Sequence, residues 1–211
     1  MLNVHRFMFS PIQENTYVIS TEDGLAAIVD PGCYFEAERL RLQQFITQQN
    51  LTVKYLINTH CHLDHVFGNK FIAATYQVVP HLHSLEKMML SYAPTSGEKW
   101  GLPFENYEGP TVDIAEGDIL KLGLDDLKIL FVPGHSPGHI CLYHEPQGFV
   151  IAGDTLFKES IGRTDLPMGH HATLVKAIQE KLFSLPDETV VYPGHGESTT
   201  IGWEKQHNPF M

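Results

Sequence analysis

Positive charge is scarce in this 211-residue chain: 14 Lys and Arg stand against 25 Asp and Glu, for a net charge of -11. That balance opposes a nucleic-acid footprint and an anionic membrane surface, both of which require basic patches. Cysteine is scarce as well. Cys33, Cys61 and Cys141 are odd in number and scattered, which argues against a disulfide framework or a zinc-knuckle pattern. No apolar run approaches the length of a membrane span, and Met1 to Arg6 lack the basic-then-apolar order of an export signal. The expectation is a cytoplasmic protein with a small-molecule substrate and no nucleic-acid or membrane partner. No Ser/Gly linker and no convincing repeat divides the chain, so residues 1–211 are read as one domain.

Histidine, by contrast, is plentiful at 13 copies, and three of them fall in His60-Cys61-His62-Leu63-Asp64-His65, directly after the strand-like run Val53 to Ile57. In an extended segment, positions two apart point the same way, so His60 and His62 can chelate one ion while Asp64 and His65 follow as the chain turns. One short loop can thus serve two adjacent metals. Cys61 lies between the two chelating positions; alternation turns its sulfur away, and burial as a small apolar residue is expected.

Periodicity and turn residues divide the chain into short strands and helices. Strands are expected at Leu2 to Phe9, Asn15 to Ser20 and Leu25 to Asp30, the last closed by a Pro31-Gly32 turn. A helix over about Phe35 to Gln49 leads to a strand at Thr52 to Asn58, a helix at Asp64 to Tyr76 and a strand at Gln77 to Pro80. Leu85 to Pro110 reads as a short helix through Leu90 followed by a long irregular binding loop or lid. Strands resume at Ile119 to Leu122, Leu127 to Val132, His139 to Tyr143 and Phe149 to Ala152. A helix from Ala172 to Phe183 precedes a last strand, Thr189 to Tyr192. Strands followed by helices, twice over, suggest two packed sheets with helices outside.

Three further fragments share one format, a β-rich run, then Gly, then a ligand-type residue: Val132-Pro133-Gly134-His135, Ile151-Ala152-Gly153-Asp154 and Tyr192-Pro193-Gly194-His195. The complete set resembles the metallo-β-lactamase superfamily, whose motif is His-x-His-x-Asp-His followed by separate His, Asp and His ligands. The resemblance implies an α/β (α+β) fold of the four-layer αββα type with the site along one edge. It also implies that His60, His62 and His135 bind one metal, Asp64, His65 and His195 a second, and that Asp154 bridges. Many β-lactamases of this fold carry Cys where Asp154 stands, so antibiotic hydrolysis is not expected. Gly153-Asp154-Thr155-Leu156-Phe157 and Gly162-Arg163-Thr164-Asp165 are similar to the glyoxalase II-like branch, in its short form. Only 16 residues follow His195, so the helical region with which full-length glyoxalase II helps hold glutathione is not expected.

Two divalent ions sharing a hydroxide solve the problem of thioester hydrolysis near neutral pH. Zinc is the expected metal, with iron or manganese compatible with the same donors. Asp64 is expected to hold the second metal and to orient the attacking water, and the thiolate departs with little help from an acid. Arg163, nine residues past Asp154, is a candidate for a substrate carboxylate, although a salt bridge with Asp165 explains it equally well. Lys158 is a weaker candidate. His139 is expected to be structural, His170 and His171 to be solvated or capping, and His81 and His83 to be structural. Tyr92, Trp100, Phe104 and Tyr107 either wall the pocket or pack beneath the long loop. A mononuclear iron oxygenase acting on a persulfide, and a metal-binding module without catalysis, are the alternative readings.

Overall fold

Alternating side chains in the strands decide the layering. The computed structural model describes residues 1–211. Its first sheet holds β1 (Leu2–Phe9), β2 (Glu14–Thr21), β3 (Leu25–Val29), β4 (Thr52–Ile57), β5 (Pro80–Leu82) and β6 (Val112–Asp113), in that spatial order. β1 to β3 are antiparallel, and β3 to β6 run parallel. Between them run α1 (Glu36–Gln48), α2 (Leu63–Val66), α3 (Asn69–Tyr76) and α4 (Lys87–Lys99).

The second sheet is built from β7 (Ile119–Leu122), β8 (Asp125–Phe131), β9 (Ile140–His144), β10 (Phe149–Gly153), β13 (Val190–Pro193) and β14 (Thr199–Thr200). Its spatial order is β14-β13-β10-β9-β8-β7. A small hairpin, β11 (Leu156–Phe157) with β12 (Ser160–Ile161), follows β10; α5 (His171–Ala177) precedes β13, and α6 (Ile201–His207) follows β14.

Period two then sorts the core. Tyr17, Ile19, Ala27 and Val29 of the first sheet meet Leu127, Ile129, Ile140, Leu142 and Ile151 of the second in the seam between them. Val18, Ala26 and Ile28 point outward to Leu42 and Ile46 of α1 and Ile72 of α3. Cys141, Val150 and Ala152 point outward to Leu174 and Ala177 of α5. The result is the αββα sandwich.

Four expected elements differ from what forms. The helix expected over Asp64 to Tyr76 is two helices broken at Phe67 and Gly68. A side chain at Gly68 would strike Cys33 and Pro31, whose carbonyl accepts the Gly68 N–H at 2.7 Å. The strand expected at Gln77 to Pro80 starts only at Pro80, because Gln77 ends α3 in the left-handed conformation with φ of 57°. The short helix expected through Leu90 runs on as α4 to Lys99, into the stretch expected to be irregular and despite the interior Pro94. A proline there leaves the carbonyl four residues earlier without its N–H partner. Asn106 supplies the replacement, donating Nδ2 to the Leu90 carbonyl at 2.8 Å. The expected helix at Ala172 to Phe183 continues past α5 only as a wide π turn, Ile178–Leu182. Other boundaries shift by a few residues.

The seam should dominate stability. Leu142 is fully buried and Leu124 fully exposed, so Leu142→Ala should cost about 3 kcal/mol in urea unfolding and Leu124→Ala less than about 0.5 kcal/mol.

Candidate metal centre

Four loops deliver ligand-type side chains to one edge of the sandwich. Beyond β4 the chain passes through Asn58 and Thr59 to His60, Cys61 and His62; His62 precedes α2, whose first turn carries Asp64 and His65. His135 lies beyond β8, Asp154 follows β10 and His195 follows β13. Two glycines permit this crowding. Gly153 takes φ of 50° at a register shift between β10 and β13, and a side chain at Gly194 would collide with Asp154 and His65.

All seven side chains expected at the site come together. His135 Nε2 lies 3.2 Å from His60 Nε2 and 2.8 Å from His62 Nδ1, so three imidazole nitrogens converge. His195 Nε2 is 3.1 Å from Asp64 Oδ2, and His65 Nε2 is 3.8 Å from the same oxygen. Asp154 lies between the two groups, with Oδ1 3.5 Å from His65 and Oδ2 3.6 Å from both His135 and His195.

Asp30 organises both groups, and the sequence reading passed over it as the end of a strand before a turn. Its carboxylate accepts the Thr59 N–H at 2.7 Å and the Thr59 hydroxyl at 2.5 Å, and faces His65 Nδ1 at 3.1 Å. Since the hydroxyl proton points to Asp30, the Thr59 oxygen is left to accept from His60 Nδ1 at 3.1 Å. His135 Nδ1 donates to the Arg163 carbonyl at 2.7 Å. Both arrangements put the proton on Nδ1 and leave Nε2 bare toward the centre, the tautomer that presents a lone pair to a metal. No local signal marked it: in Val29-Asp30-Pro31-Gly32 the acid precedes a Pro-Gly turn and lacks the Gly-then-ligand order of the other three fragments.

The electrostatics divide the site in two. Burial, reinforced by neighbouring imidazoles, holds His60 well below the usual histidine range, and burial takes His62 down to about 3. Burial likewise lowers His135. These rings stay neutral, as metal ligands must. On the other side burial opposes ionisation, yet His65, with His195, holds Asp64 and Asp154 below the carboxylate range. The carboxylates in turn raise His65 well above its ordinary value against its burial, and Asp154 with Asp64 does the same for His195. In the protein alone, protonated imidazoles thus supply the positive charge that this cluster demands.

A metal fits that demand. His65 Nε2 and Asp154 Oδ1 are buried without hydrogen-bond partners, and unpaired buried polar groups cost about 1–3 kcal/mol each. The donor atoms of His60, His62 and His135, and separately those of Asp64, His65 and His195, lie within 4.8 Å of one another.

The remaining candidates separate cleanly. Cys61 packs with Val66, Leu82 and Met89, and burial pushes its thiol well above the ordinary range. His139 Nε2 accepts the Asp154 backbone N–H at 3.0 Å, and its ring stacks on His60, so it is a positioning residue. His170 caps α5 by accepting from the Thr173 N–H at 3.2 Å. His83 caps the turn before α4, and His81 bonds the Val79 carbonyl. Lys158 pairs with Glu197 at 3.0 Å.

A cleft of about 330 Å³ opens onto the ligand cluster, and Tyr92, Trp100 and Arg163 line it. Phe104 instead packs on Phe67, and Tyr107 packs against the core outside the first sheet. Arg163 is held bidentately by Asp165, with both contacts at 2.7 Å. Glu86 gave no sequence signal, since it fell in the short helix expected through Leu90 and no motif set it apart. Its buried carboxylate accepts from the Cys61 N–H at 2.8 Å, the Ser136 hydroxyl at 2.5 Å and the Gly138 N–H at 2.7 Å. It ties the His60 loop to the His135 loop.

A family model described as the metallo-beta-lactamase superfamily matches residues 10–195. The chain belongs to that superfamily. The hydroxyacylglutathione hydrolase GloC of Haemophilus influenzae is 36% identical over 220 residues, covering 100% of this chain and 98% of its own. Among solved structures, the BLEG-1 B3 metallo-beta-lactamase superposes with a TM-score of 0.90 at 33% identity, covering 100% of this chain and 99% of that one. TTHA1623 in a di-iron-bound form gives 0.89 at 34% identity over 99% of this chain and 100% of that one. As in a superfamily that is largely hydrolytic, a metal-type site here faces an open cleft.

Two outcomes follow for this superfamily member. Asp30→Asn should lower metal affinity by about 10- to 100-fold in competition with a chelating dye, because it releases the His60 and His65 tautomers. Stripping metal with a chelator should lower the melting temperature by about 10 °C, since ions bound only by the folded state stabilise it by mass action.

Proposed function

We propose that the protein is a binuclear metallohydrolase of a small thioester. One observation carries this reading: two complete three-residue groups, His60/His62/His135 and Asp64/His65/His195, face each other across Asp154, whose Oδ2 lies 3.6 Å from both His135 of the first group and His195 of the second. His60, His62 and His135 would hold one divalent ion, Asp64, His65 and His195 the other, and Asp154 both. Zinc suits the His/Asp donors, and iron or manganese is accepted by the same set. The di-iron form of TTHA1623 supports a two-metal reading of the shared fold.

Such a pair, when bound, supplies a hydroxide-strength nucleophile near pH 7 and positive charge for the carbonyl oxygen. The chain's own groups do the rest. Asp64 lines the cleft with Oδ2 beside His195, where it can accept a hydrogen bond from the attacking water and orient it. His139 holds the Asp154 backbone, and Asp30 holds the tautomers of His60 and His65, so the constellation is rigid before substrate arrives. Water forms the new C–O bond as the C–S bond breaks, and the sulfur leaves as a thiolate that solvent protonates. A thiol with a pKa of about 8.5 is a good enough leaving group to need no dedicated acid.

The GloC likeness supports a thioester, and the three buried, unpaired cysteines support action in the reducing cytoplasm. The test couples metal analysis of purified protein to hydrolysis of a lactoyl thioester, with a β-lactam and a persulfide under oxygen in parallel. Two equivalents of metal are expected, with turnover of the thioester and losses of at least about 100-fold in kcat/KM for Asp64→Ala and Asp154→Ala. Hydrolysis that survives both substitutions would sink the proposal, as would one iron per chain with oxygen consumed.

A further inference from the structure

Away from the metal centre the cleft is almost without charge. Ten of its nineteen lining residues are hydrophobic; five others are His62, Asp64, His135, Asp154 and His195, which belong to the centre itself. α4 builds one wall with Met89, Tyr92, Ala93 and Trp100, and Phe157 and Leu166 stand among the other lining residues. Outside the metal centre, Arg163 is the only cationic side chain on the lining.

That single cation is cancelled. Both arms of the Arg163 guanidinium are taken by Asp165, two residues away on the same loop. The pair is exposed and therefore weakly held. A ligand carboxylate that takes Arg163 must displace Asp165 from it, exchanging one exposed ion pair for another at little gain. Lys99 is outside the lining, with its ammonium donating to the Tyr92 hydroxyl at 2.5 Å. Lys158 is paired with Glu197. The chain as a whole carries -11.

A ligand body that carries two carboxylates finds on such walls only a cation that is already paired. An apolar, uncharged body gains from every wall residue that it covers, at about 25 cal/mol per Å² removed from water. The cleft volume, about 330 Å³, is also near the lower end of ligand sites, which run from about 300 to 1,000 Å³. From these observations we infer that the thiol half of the substrate is small, neutral and apolar, and is not a glutathione-like peptide with free carboxylates. This inference rests on the thioester reading for the reaction, but its argument about the walls concerns binding alone.

Binding and turnover therefore separate the two. The metal-loaded protein is titrated calorimetrically with two thioethers that share a benzyl group, S-benzylglutathione and N-acetyl-S-benzylcysteamine. The neutral ligand is expected to bind at least fivefold more tightly. Equal or tighter binding of the glutathione ligand overturns the inference. Ser96→Lys, which adds a cation to the wall at a half-exposed position, should shift the ratio of the two affinities at least fivefold toward the glutathione ligand; an unchanged ratio in this folded variant also overturns it. Lactoyl thioesters of the same two thiol bodies should show the same order in kcat/KM. If neither is hydrolysed while the binding preference persists, the thioester reading falls and the neutral-ligand inference stands.

Discussion

Desolvation of charge at one sheet edge is the constraint on which the site is built. Asp30, Asp64, Asp154, His60, His65 and His135 are all buried, and charged groups taken out of water must be paired or must bind metal. Each surrounding feature answers that demand. Thr59 and His65 contact Asp30, and protonated His65 and His195 balance Asp64 and Asp154 in the protein alone. Glycines at 153 and 194 let the backbones approach closely enough for the groups to meet. Glu14 shows the same pressure one step deeper: buried behind His65, with one oxygen unpaired, its carboxyl is pushed well above the usual range by burial.

The support is continuous from wall to ligand. Glu86 stands immediately before α4, and its carboxylate holds the loops of His60 and His135, while the same helix presents Met89, Tyr92 and Trp100 to the cleft. The element that shapes the substrate's surroundings is thereby fastened to the element that carries the chemistry. A buried carboxylate with three donors is worth most where it fixes relative position, because losing it strands several backbone N–H groups at once. The Asn106 bond to the Leu90 carbonyl has the same character, since it makes a proline-containing helix stable enough to be a wall.

Legibility in the sequence followed the range of the interactions. The His60 to His65 cluster and the Gly-His, Gly-Asp and Gly-His turns were readable because each is a local string of donor residues at a strand end, and all seven side chains meet in space. Strands followed by helices, twice over, announced two packed sheets, and the continuous apolar run Tyr17-Val18-Ile19 fits a strand covered on both faces. Asp30 and Glu86 were not readable in this way. Their partners lie 25 to 52 residues away, and neither carries a spacing that announces a ligand. The continuation of α4 past Leu90 was not readable because Pro94 and Gly97 argue locally against a helix, and the compensating Asn106 acts across a loop.

Residue order by itself determined the inventory of donors, the strand periodicity that makes a four-layer sandwich, and membership in a superfamily whose ligands sit on loops after strands. Only the tertiary structure decided which donors face one another, which nitrogen of each histidine is free, and that Arg163 reaches the cleft already paired with Asp165. The physical reason is that donor chemistry and side-chain period are properties of short segments. Tautomer, desolvation and net charge at a wall are sums over atoms brought together from distant parts of the chain.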